Sequence, residues 1–308
     1  MIRTIGICDT LWVQPHQLRY FIAVAETGSF TSGAQRARVV QSAVSTAIQQ
    51  LERELGTRLF VRGRGIALTP EGEVLLPRAR EVLAAIEAAT AAVNATRGRV
   101  TGTVNFGMMH RFGTFDMAGM LAAFRRKHPE VVVRGRTSTE GSRGHLDALR
   151  RGDLDLALVA TPHETLPGLH LRYVDSEALR LVCSTSHPLA KAGTVRLEQV
   201  ADEVFIDSPA GWGNRSRIDS AFAEAGLQRV VQTETIDFAW TQALVREEFG
   251  IAFVPASALL TDTRLTVLDV EPEITHTVRI AWASNRPLSA AAAALAAEFD
   301  LSPASSTE

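Results

Sequence analysis

The stretch that decides the fold is QSAVSTAIQQLEREL, residues 41–55, and Gly56 follows it. Apolar side chains recur in this stretch at intervals of three or four residues, and they are Val44, Ile48, Leu51 and Leu55. Such spacing places them on one side of an α-helix, so that side is expected to pack inward. A glycine after the last apolar position is typical of a helix C-terminus, so the helix is predicted to end at residue 55.

Two shorter helices are predicted upstream of this one. Helical spacing after Pro15 is seen in Leu18, Phe21, Ile22 and Ala25. Gly28 is suited to end the first helix, and Ser29 or Thr31 can cap a second helix that runs to Ala37. Residues 38–40 then form a short turn. Two helices joined by a tight turn, the second longer and polar on its outer side, have the layout of a helix-turn-helix.

The outer side of the third helix carries mainly short or amide side chains. These residues are Ser42, Ser45, Thr46, Gln49 and Arg53. Small hydroxyl and amide groups can hydrogen-bond to base edges in a major groove without holding the helix away from the DNA. The alternative is an ordinary solvated face, which most amphipathic helices have.

A hairpin is predicted directly after the third helix, in RLFVRGRGIAL, residues 58–68. Two short extended segments flank a tip that is rich in glycine and arginine. Arg62 and Arg64 are placed to meet phosphates or a minor groove. A hairpin in this place forms the wing of a winged helix-turn-helix and favours DNA binding over a merely solvated face.

Six blocks of this region together resemble the LysR-type regulators. They are QLRYF (17–21), GSF (28–30), QSAVS (41–45), LERELG (51–56), LFVR (59–62) and LTPEG (68–72). The resemblance implies a winged helix-turn-helix in which Gln41, Ser42 and Ser45 face the bases and the wing arginines face the DNA backbone. The predicted DNA-binding residues are Thr31, Gln41, Ser42, Ser45, Thr46, Gln49, Arg53, Arg62 and Arg64.

The sequence departs from the family's pattern in a few places. Gly33 stands where the family usually has alanine, which is expected to cost about 1 kcal/mol of local helix stability. Thr46 occupies a position that is commonly arginine, so a phosphate or groove contact is expected to be missing there. The wing is one residue shorter than usual. Residues 1–14 are expected to be an N-terminal extension, with Val13 as a candidate initiator.

A long linker helix is predicted after the wing. Thr69, Pro70 and Glu71 form a strong helix start, and alanine-rich sequence continues to about residue 96. An approximate heptad seam of mostly small residues is formed by Ala79, Leu83, Ile86, Thr90 and Val93. The resemblance implies an antiparallel dimer helix, and the alternative is a helix packed on its own chain. Pro77 is expected to kink or open the helix.

Strands and helices alternate from residue 101 onward, which predicts α/β units around a mostly parallel sheet. The predicted strands are 103–107, 131–136, 154–160, 179–184, 204–207, 230–234, 251–254 and 278–283. The predicted helices are 116–127, 145–151, 215–225, 238–248 and 288–299. The fold class is therefore α/β overall, with an all-α winged N-terminal domain.

Several markers in this part are similar to the LysR effector domain. They are GTV (102–104), HPE (128–130), GDLDLA (152–157), HPL (187–189) and GIAFVP (250–255). The resemblance implies a periplasmic-binding-protein-like domain of two α/β lobes, with crossing strands near 172–176 and 270–277. The predicted domains are a winged helix-turn-helix at 15–72, a linker helix at 73–100 and an effector domain at 101–308. Its first lobe comprises 101–173 and 276–308, and its second lobe 174–275.

A ligand in such a fold lies in the cleft, where strand ends and helix N-termini favour anions, often carboxylates. The predicted effector-binding residues are Met109, His110, Arg111, Thr114, Ser138, Thr161, His163, Ser208, Trp212 and Phe238. Their mix of aromatic, hydroxyl and cationic groups fits a small, partly apolar and acidic effector.

Charge and composition agree with two kinds of domain. Residues 1–100 hold 12 arginines, no lysine and 8 acidic residues, whereas the rest has a net charge of −6. A basic first third suits a nucleic-acid partner. No apolar run is long enough for a membrane helix, so a cytoplasmic location is expected. Cys8 and Cys183 have no zinc-like spacing, and both are expected to be reduced, with a redox sensor at Cys183 as the lesser alternative.

The sequence therefore predicts a DNA-binding transcriptional regulator that a small-molecule effector modulates. Its expected partners are double-stranded promoter or operator DNA, the effector, further copies of the chain in a dimer or tetramer, and RNA polymerase. No metal, cofactor or catalytic residue is expected; Asp153 and Asp155 open a buried strand and are interpreted as turn caps. The alternatives are a small-molecule-binding protein without gene regulation, and an enzyme, for which no nucleophile–base set is seen.

Overall fold

The computed structural model describes residues 13–62, 65–95, 99–109, 113 and 115–300, with the backbone alone for Arg62, Ala92 and Ala95. The chain divides into two compact units between residues 93 and 94. The first unit consists of α1 (Pro15–Thr27), α2 (Phe30–Ala37), α3 (Gln41–Leu55), β1 (Phe60–Arg62), β2 (Ile66–Leu68) and most of α4 (Pro70–Ala95). The two strands pair antiparallel. The predicted winged helix-turn-helix is confirmed.

The ends of these helices are determined by local chemistry. Gly28 and Gly56 both adopt the left-handed conformation, with φ of 62° and 68°, directly after α1 and α3. Ser29 caps α2, because its side chain accepts a hydrogen bond from the Ser32 amide at 3.3 Å. Glu52 accepts a hydrogen bond from the Leu59 amide at 2.8 Å and so ties α3 to β1.

Gly33 has a packing role that the sequence did not reveal. A Cβ at this position would lie 2.8 Å from Cγ2 of Val24 and 3.1 Å from the Cα and backbone nitrogen of the same residue. Val24 itself is fully buried in the core of the first unit. The glycine therefore allows α1 and α2 to approach closely, and its cost in helix propensity is offset by this packing.

The long helix α4 starts as predicted, with the Thr69 hydroxyl accepting a hydrogen bond from the Gly72 amide at 3.1 Å. Pro77 does not open it, since the helix is continuous from residue 70 to residue 95. Within the seam, Ala79 is buried and Leu83 packs on the core of the first unit, whereas Val93 is exposed. The first half of the seam thus packs on its own chain. The break predicted at 97–99 falls largely outside the described residues.

The second unit forms two α/β lobes. Its strands are β3 (Gly102–Gly107), β4 (Val131–Arg136), β5 (Leu156–Ala160), β6 (Leu169–Ser184), β7 (Thr194–Arg196), β8 (Val204–Asp207), β9 (Val230–Glu234), β10 (Ala252–Pro255), β11 (Leu265–Glu271) and β12 (Thr275–Ala283). Its α-helices are α5 (Met117–Lys127), α6 (Gly141–Arg151), α7 (Gly213–Glu224), α8 (Phe238–Arg246) and α9 (Ala290–Glu298). Among the described residues, no helix has the length and apolar composition needed to cross a membrane.

The strand β6 belongs to both lobes. In the first lobe the strand order is β4-β3-β5-β12-β6, and in the second it is β7-β11-β6-β10. The pair β8–β9 joins the second lobe through the hydrogen bond from the Ile206 amide to the Ile251 carbonyl, at 2.9 Å. Each lobe has its own core, centred on Phe106 and Ile280 in the first and on Phe205 and Phe253 in the second. The predicted two-lobed α/β architecture is confirmed.

Several boundaries differ from the sequence-based expectations. The helix expected at 145–151 begins earlier, at Gly141. The sequence did not indicate this start, because the first turn contains two glycines and carries no helical pattern. One strand of 16 residues, β6, replaces the short strand expected at 179–184. This strand pairs with β12 up to Ala178 and with β10 from Leu179 onward. It therefore passes from the first lobe to the second after residue 178, and not after residue 173 as expected. The strands β7 and β11 were not predicted as separate strands, although the crossing expected near 270–277 includes the end of β11 and the start of β12.

Candidate functional sites

The outer side of α3 presents most of the predicted DNA-reading residues. The exposed residues are Gln41, Ser42, Thr46, Gln49 and Arg53. Ser45 is half-buried among them, and Thr31 is exposed on α2. Val44, Ile48 and Leu51 are fully buried on the opposite side of the helix. The outer side is therefore free to approach base edges, as the helix-turn-helix layout requires.

The wing arginines are described only in part. Arg62 lies in β1, where its backbone pairs with Ile66, and nothing is described of its side chain. Arg64 lies outside the described residues.

A groove between α1 and α3 adds two residues that sequence reasoning missed. His16 and Tyr20 line it together with Ser42, Thr46 and Gln50. The two rings are in edge contact, with their centroids 5.7 Å apart. Their i,i+4 spacing on the first helix was the available sequence clue.

A cavity of about 250 Å³ lies between the two lobes of the second unit. This volume is near the lower end of the roughly 300–1,000 Å³ typical of ligand pockets. The first lobe supplies residues at the end of β3 and in the first turns of α6, such as Met109 and Ser142. The second lobe supplies the start of α7, the start of α8 and Leu260. A ligand in this place contacts both lobes.

The N-termini of α6 and α7 both face this cavity, through Gly141 and Gly213. Neither N-terminus is capped by a side chain. The start of α7 is pressed against the first lobe, because a Cβ on Gly213 would overlap the Ala160 carbonyl. Trp212 reaches across as well, and its indole Nε1 donates to the Thr139 carbonyl at 3.2 Å.

The structure brings together only some of the predicted effector residues. Met109, Ser138, Trp212 and Phe238 line the cavity. Ser208 is buried behind the lining, where its hydroxyl accepts a hydrogen bond from Asn214 at 2.9 Å.

Thr161 and His163 are not among the lining residues. The Thr161 hydroxyl accepts a hydrogen bond from the His163 amide at 3.2 Å, and the His163 side chain is exposed. These two residues follow β5, and the Thr161 amide continues the pairing with β12 by donating a hydrogen bond to the Thr277 carbonyl at 3.2 Å. His110, Arg111 and Thr114 lie outside the described residues.

Two histidines that the sequence did not indicate also line the cavity. His145 lies on α6 and His276 on β12, and they are 4% and 5% exposed. Nδ1 of His145 is 3.1 Å from the Leu158 carbonyl oxygen. Burial lowers the pKa of both imidazoles, so they are neutral at pH 7. No local pattern pointed to His276, because strand pairing is what places it at the cavity.

Glu177 connects the two lobes beside His276. It lies on β6, and its carboxylate accepts hydrogen bonds from the Gly113 amide at 2.7 Å and the Ser257 amide at 2.7 Å. Gly113 belongs to the first lobe and Ser257 to the second. The carboxylate therefore holds the lobes together near the point where β6 changes sheets.

The acidic residues and the cysteine considered as candidate sites are held by hydrogen bonds, ion pairs or burial. The Asp155 carboxylate accepts hydrogen bonds from the amide and the side chain of Asn105, at 2.8 and 3.1 Å, and Asp153 pairs with Arg151 at 3.0 Å. Cys183 is fully buried, and burial raises the pKa of its thiol to about 11, which disfavours the reactive thiolate. The described residues contain no cluster of three or more histidine, cysteine or acidic side chains that could hold a metal ion.

An exposed recognition helix and a two-lobed cavity in one chain define the class of DNA-binding regulators that carry a ligand-binding domain. Family comparisons agree. Residues 15–73 match the bacterial regulatory helix-turn-helix proteins of the lysR family, and residues 97–300 match the LysR substrate binding domain. The chain belongs to the LysR family of transcriptional regulators.

Individual relatives cover almost the whole chain. The transcriptional dual regulator GltC of Bacillus subtilis (strain 168) is 32% identical over 90% of this chain and 93% of its own length. A probable nitrogen assimilation transcriptional activator of Synechococcus elongatus is 31% identical over 86% and 87%. The fold is shared with a full-length OxyR variant from Pseudomonas aeruginosa, with a TM-score of 0.74 at 22% identity over 94% and 95%.

Proposed function

We propose that this LysR-family regulator binds promoter or operator DNA through α3 and the wing, and that a small molecule in the inter-lobe cavity controls this binding or the bending of the DNA. The observation that carries the proposal is the cavity, whose walls come from both lobes. The effector-binding domain of QuiR, a structural neighbour with a TM-score of 0.57, is known in complex with shikimate. A small-molecule ligand therefore suits this fold.

Control by the ligand follows from the shape of the domain. A ligand that contacts both lobes binds the closed arrangement more tightly than an open one, so it shifts the population towards closure. The chain crosses between the lobes only in β6 and between β11 and β12 within the described residues. Few backbone connections therefore resist closure of the lobes. Glu177, which hydrogen-bonds to both lobes, is placed to couple their positions.

The regulator is proposed to act as a dimer or a dimer of dimers in the cytoplasm and to contact RNA polymerase. The exposed second half of the α4 seam supports self-association, since an apolar seam on an exposed helix gains by pairing. No metal, cofactor or enzymatic step is part of this function. Steep salt dependence is expected, because each arginine–phosphate contact releases counterions.

The test is a gel-shift titration of the full chain against the DNA upstream of its own gene and the neighbouring divergent promoter, with scrambled DNA as the reference. Sequence-preferring binding supports the proposal. Ser45→Glu should abolish that preference, because it places a carboxylate on the DNA-reading side of α3. Ser216→Glu, the same change on an exposed serine of α7, is the matched control and should bind like the unchanged protein.

Two results would contradict the proposal. Absence of any preference over scrambled DNA would favour a binding protein without gene regulation. Survival of the preference in Ser45→Glu would show that the reading surface lies elsewhere, even if the protein binds DNA.

A further inference from the structure

The carboxylate of Glu177 receives hydrogen bonds from both lobes of the second unit. Its Oε1 accepts from the Gly113 amide at 2.7 Å and from the Ser257 hydroxyl at 3.0 Å, and its Oε2 accepts from the Ser257 amide at 2.7 Å. Hydrogen bonds to an ionised carboxylate are stronger than those between neutral groups. Both carboxylate oxygens are therefore used, and each of them holds a backbone amide.

Glu177 and Ser257 are each fixed within their own lobe. Glu177 lies in the part of β6 that pairs with β12 in the first lobe. Ser257 belongs to a turn of the second lobe that α8 holds in place. The buried Gln242 side chain of α8 donates to the Ala258 carbonyl and accepts from the Leu260 amide, both at 2.9 Å. A separation of the two lobes therefore has to break the bonds between Glu177 and Ser257.

The residues next to these contacts form part of the wall of the inter-lobe cavity. Ala258, which directly follows Ser257, lines the cavity, and so does Leu260 at the end of the same turn. His276, which is the Cα partner of Glu177 in β12, lines it as well. Glu177 is not among the lining residues, so it can position the wall without touching a ligand.

A second set of contacts joins the lobes at the starts of α6 and α7. The Arg143 amide donates a hydrogen bond to the Gly211 carbonyl at 3.3 Å. The Trp212 indole Nε1 donates to the Thr139 carbonyl at 3.2 Å. These four residues form the clasp, and none of them belongs to the contacts of Glu177.

The Arg143 amide can report whether the clasp is closed. It lies in the first turn of α6, where backbone amides have no acceptor within the helix. Its acceptor is the Gly211 carbonyl, which belongs to the second lobe. A separation of the lobes exposes this amide to water, so the rate of its hydrogen exchange follows the population of the open arrangement.

We propose that Glu177 is a positioning residue of the effector site, and that its carboxylate holds the two lobes in contact and thereby keeps the clasp closed. The inference rests on the proposed function, in which a ligand acts by shifting the lobes towards closure. Because the strands that cross between the lobes permit movement, the closed arrangement depends on contacts such as those of Glu177. Weakening them therefore opens the clasp as well, although no bond of the clasp is altered.

The test is Glu177→Gln in the full-length protein, followed by hydrogen–deuterium exchange resolved to single amides, without DNA or ligand. A side-chain amide has one acceptor oxygen in place of two. At the observed positions it can accept from the Gly113 amide or from the Ser257 amide, but not from both. The loss of one charge-assisted hydrogen bond should favour opening about tenfold. The Arg143 amide should therefore exchange about tenfold faster, whereas the amides of the core strands β3 and β10 should be unchanged.

Asp155→Asn is the matched control, because it makes the same change from acid to amide on a carboxylate that acts within one lobe. Asp155 accepts a hydrogen bond from the Asn105 amide at 2.8 Å, and both residues belong to the first lobe. This variant should leave the exchange of the Arg143 amide unchanged. Ser257→Ala removes only the hydroxyl bond to Glu177 and should raise that exchange roughly threefold. Ser257→Ala also carries the test if circular dichroism shows that Glu177→Gln does not fold.

The outcomes separate this inference from the proposed function. Unchanged or slower exchange at Arg143 in Glu177→Gln would overturn the inference, even if the amides of Gly113 and Ser257 exchange faster, because the bonds would then have a local effect only. An equal rise in Asp155→Asn, or a rise throughout both cores, would also overturn it, since loss of stability would be the cause. If Arg143 responds as expected but gel shifts show no preferred DNA, the inference stands and the proposed function fails.

Discussion

Replacement of Gly33 by alanine tests whether packing or helix propensity governs the core of the helix-turn-helix. Alanine in a helix interior is favoured over glycine by about 1 kcal/mol. Against this, the new methyl group would lie 2.8 Å from Cγ2 of Val24 and 3.1 Å from the Val24 backbone. The side chain can turn aside, but the backbone contact requires α1 and α2 to separate.

Overpacking of a close-packed core costs about 1–3 kcal/mol. The net expectation for Gly33→Ala is a loss of about 1 kcal/mol in the opening free energy of the first unit. Because about 1.4 kcal/mol corresponds to a factor of ten, the amides of α1 and α2 should exchange with deuterium about fivefold faster. Hydrogen–deuterium exchange of the full chain, followed peptide by peptide, measures this directly.

Gly65→Ala is the matched control, since a Cβ at Gly65 would meet nothing within 4 Å. It should leave the exchange of α1 and α2 unchanged. Slower exchange in Gly33→Ala would refute the reasoning, because it would mean that propensity outweighs the contact with Val24.

Three further outcomes are expected in the second unit. Arg229→Met should lower the free energy of unfolding by about 3–5 kcal/mol, because it leaves the buried Asp207 carboxylate, which Arg229 contacts at 2.6 Å, without that partner. Urea unfolding measures this loss. Adding Asp207→Asn should recover part of it. The melting temperature should fall as the pH is lowered below 6.5, because the lowered pKa values of His145 and His276 let the unfolded chain bind protons that the native state does not. His276→Phe should flatten this decline, and an unchanged profile would contradict the assignment. Because its thiol pKa is about 11, Cys183 should not react with a disulfide reagent at pH 8 until urea unfolds the protein. Mass spectrometry of the peptide that contains Cys183 measures the labelling. Rapid labelling of the native protein would contradict the burial of the thiol.

The first unit could be predicted almost residue by residue. The bounds of α3 agree with the sequence because apolar spacing, the turn before residue 41 and the left-handed Gly56 are all local features. The same holds for the Ser29 cap of α2 and for the start of α4 after Thr69. Such features act within a few residues, so the chain's order suffices to locate them.

The effector cavity could be predicted only in outline. Strand ends correctly indicated Met109, Ser138, Trp212 and Phe238 as lining residues. The order of strands and loops placed Thr161 and His163 after β5 but did not encode whether their side chains reach the cavity, and neither residue is part of its lining. The same limit applies to β6, whose 16 residues resemble separate segments until their partners in two sheets are known.

The sequence by itself determined the family resemblance, the helix boundaries of the first unit and the two-lobed α/β class of the second, because each depends on periodicity or on short motifs. Only the tertiary structure decided that Gly33 is a packing requirement, since the contact lies between two helices. It also decided that His145 and His276, which are 131 positions apart, line one cavity. His145 contacts the Leu158 carbonyl of β5, and β5 pairs with β12, the strand that carries His276.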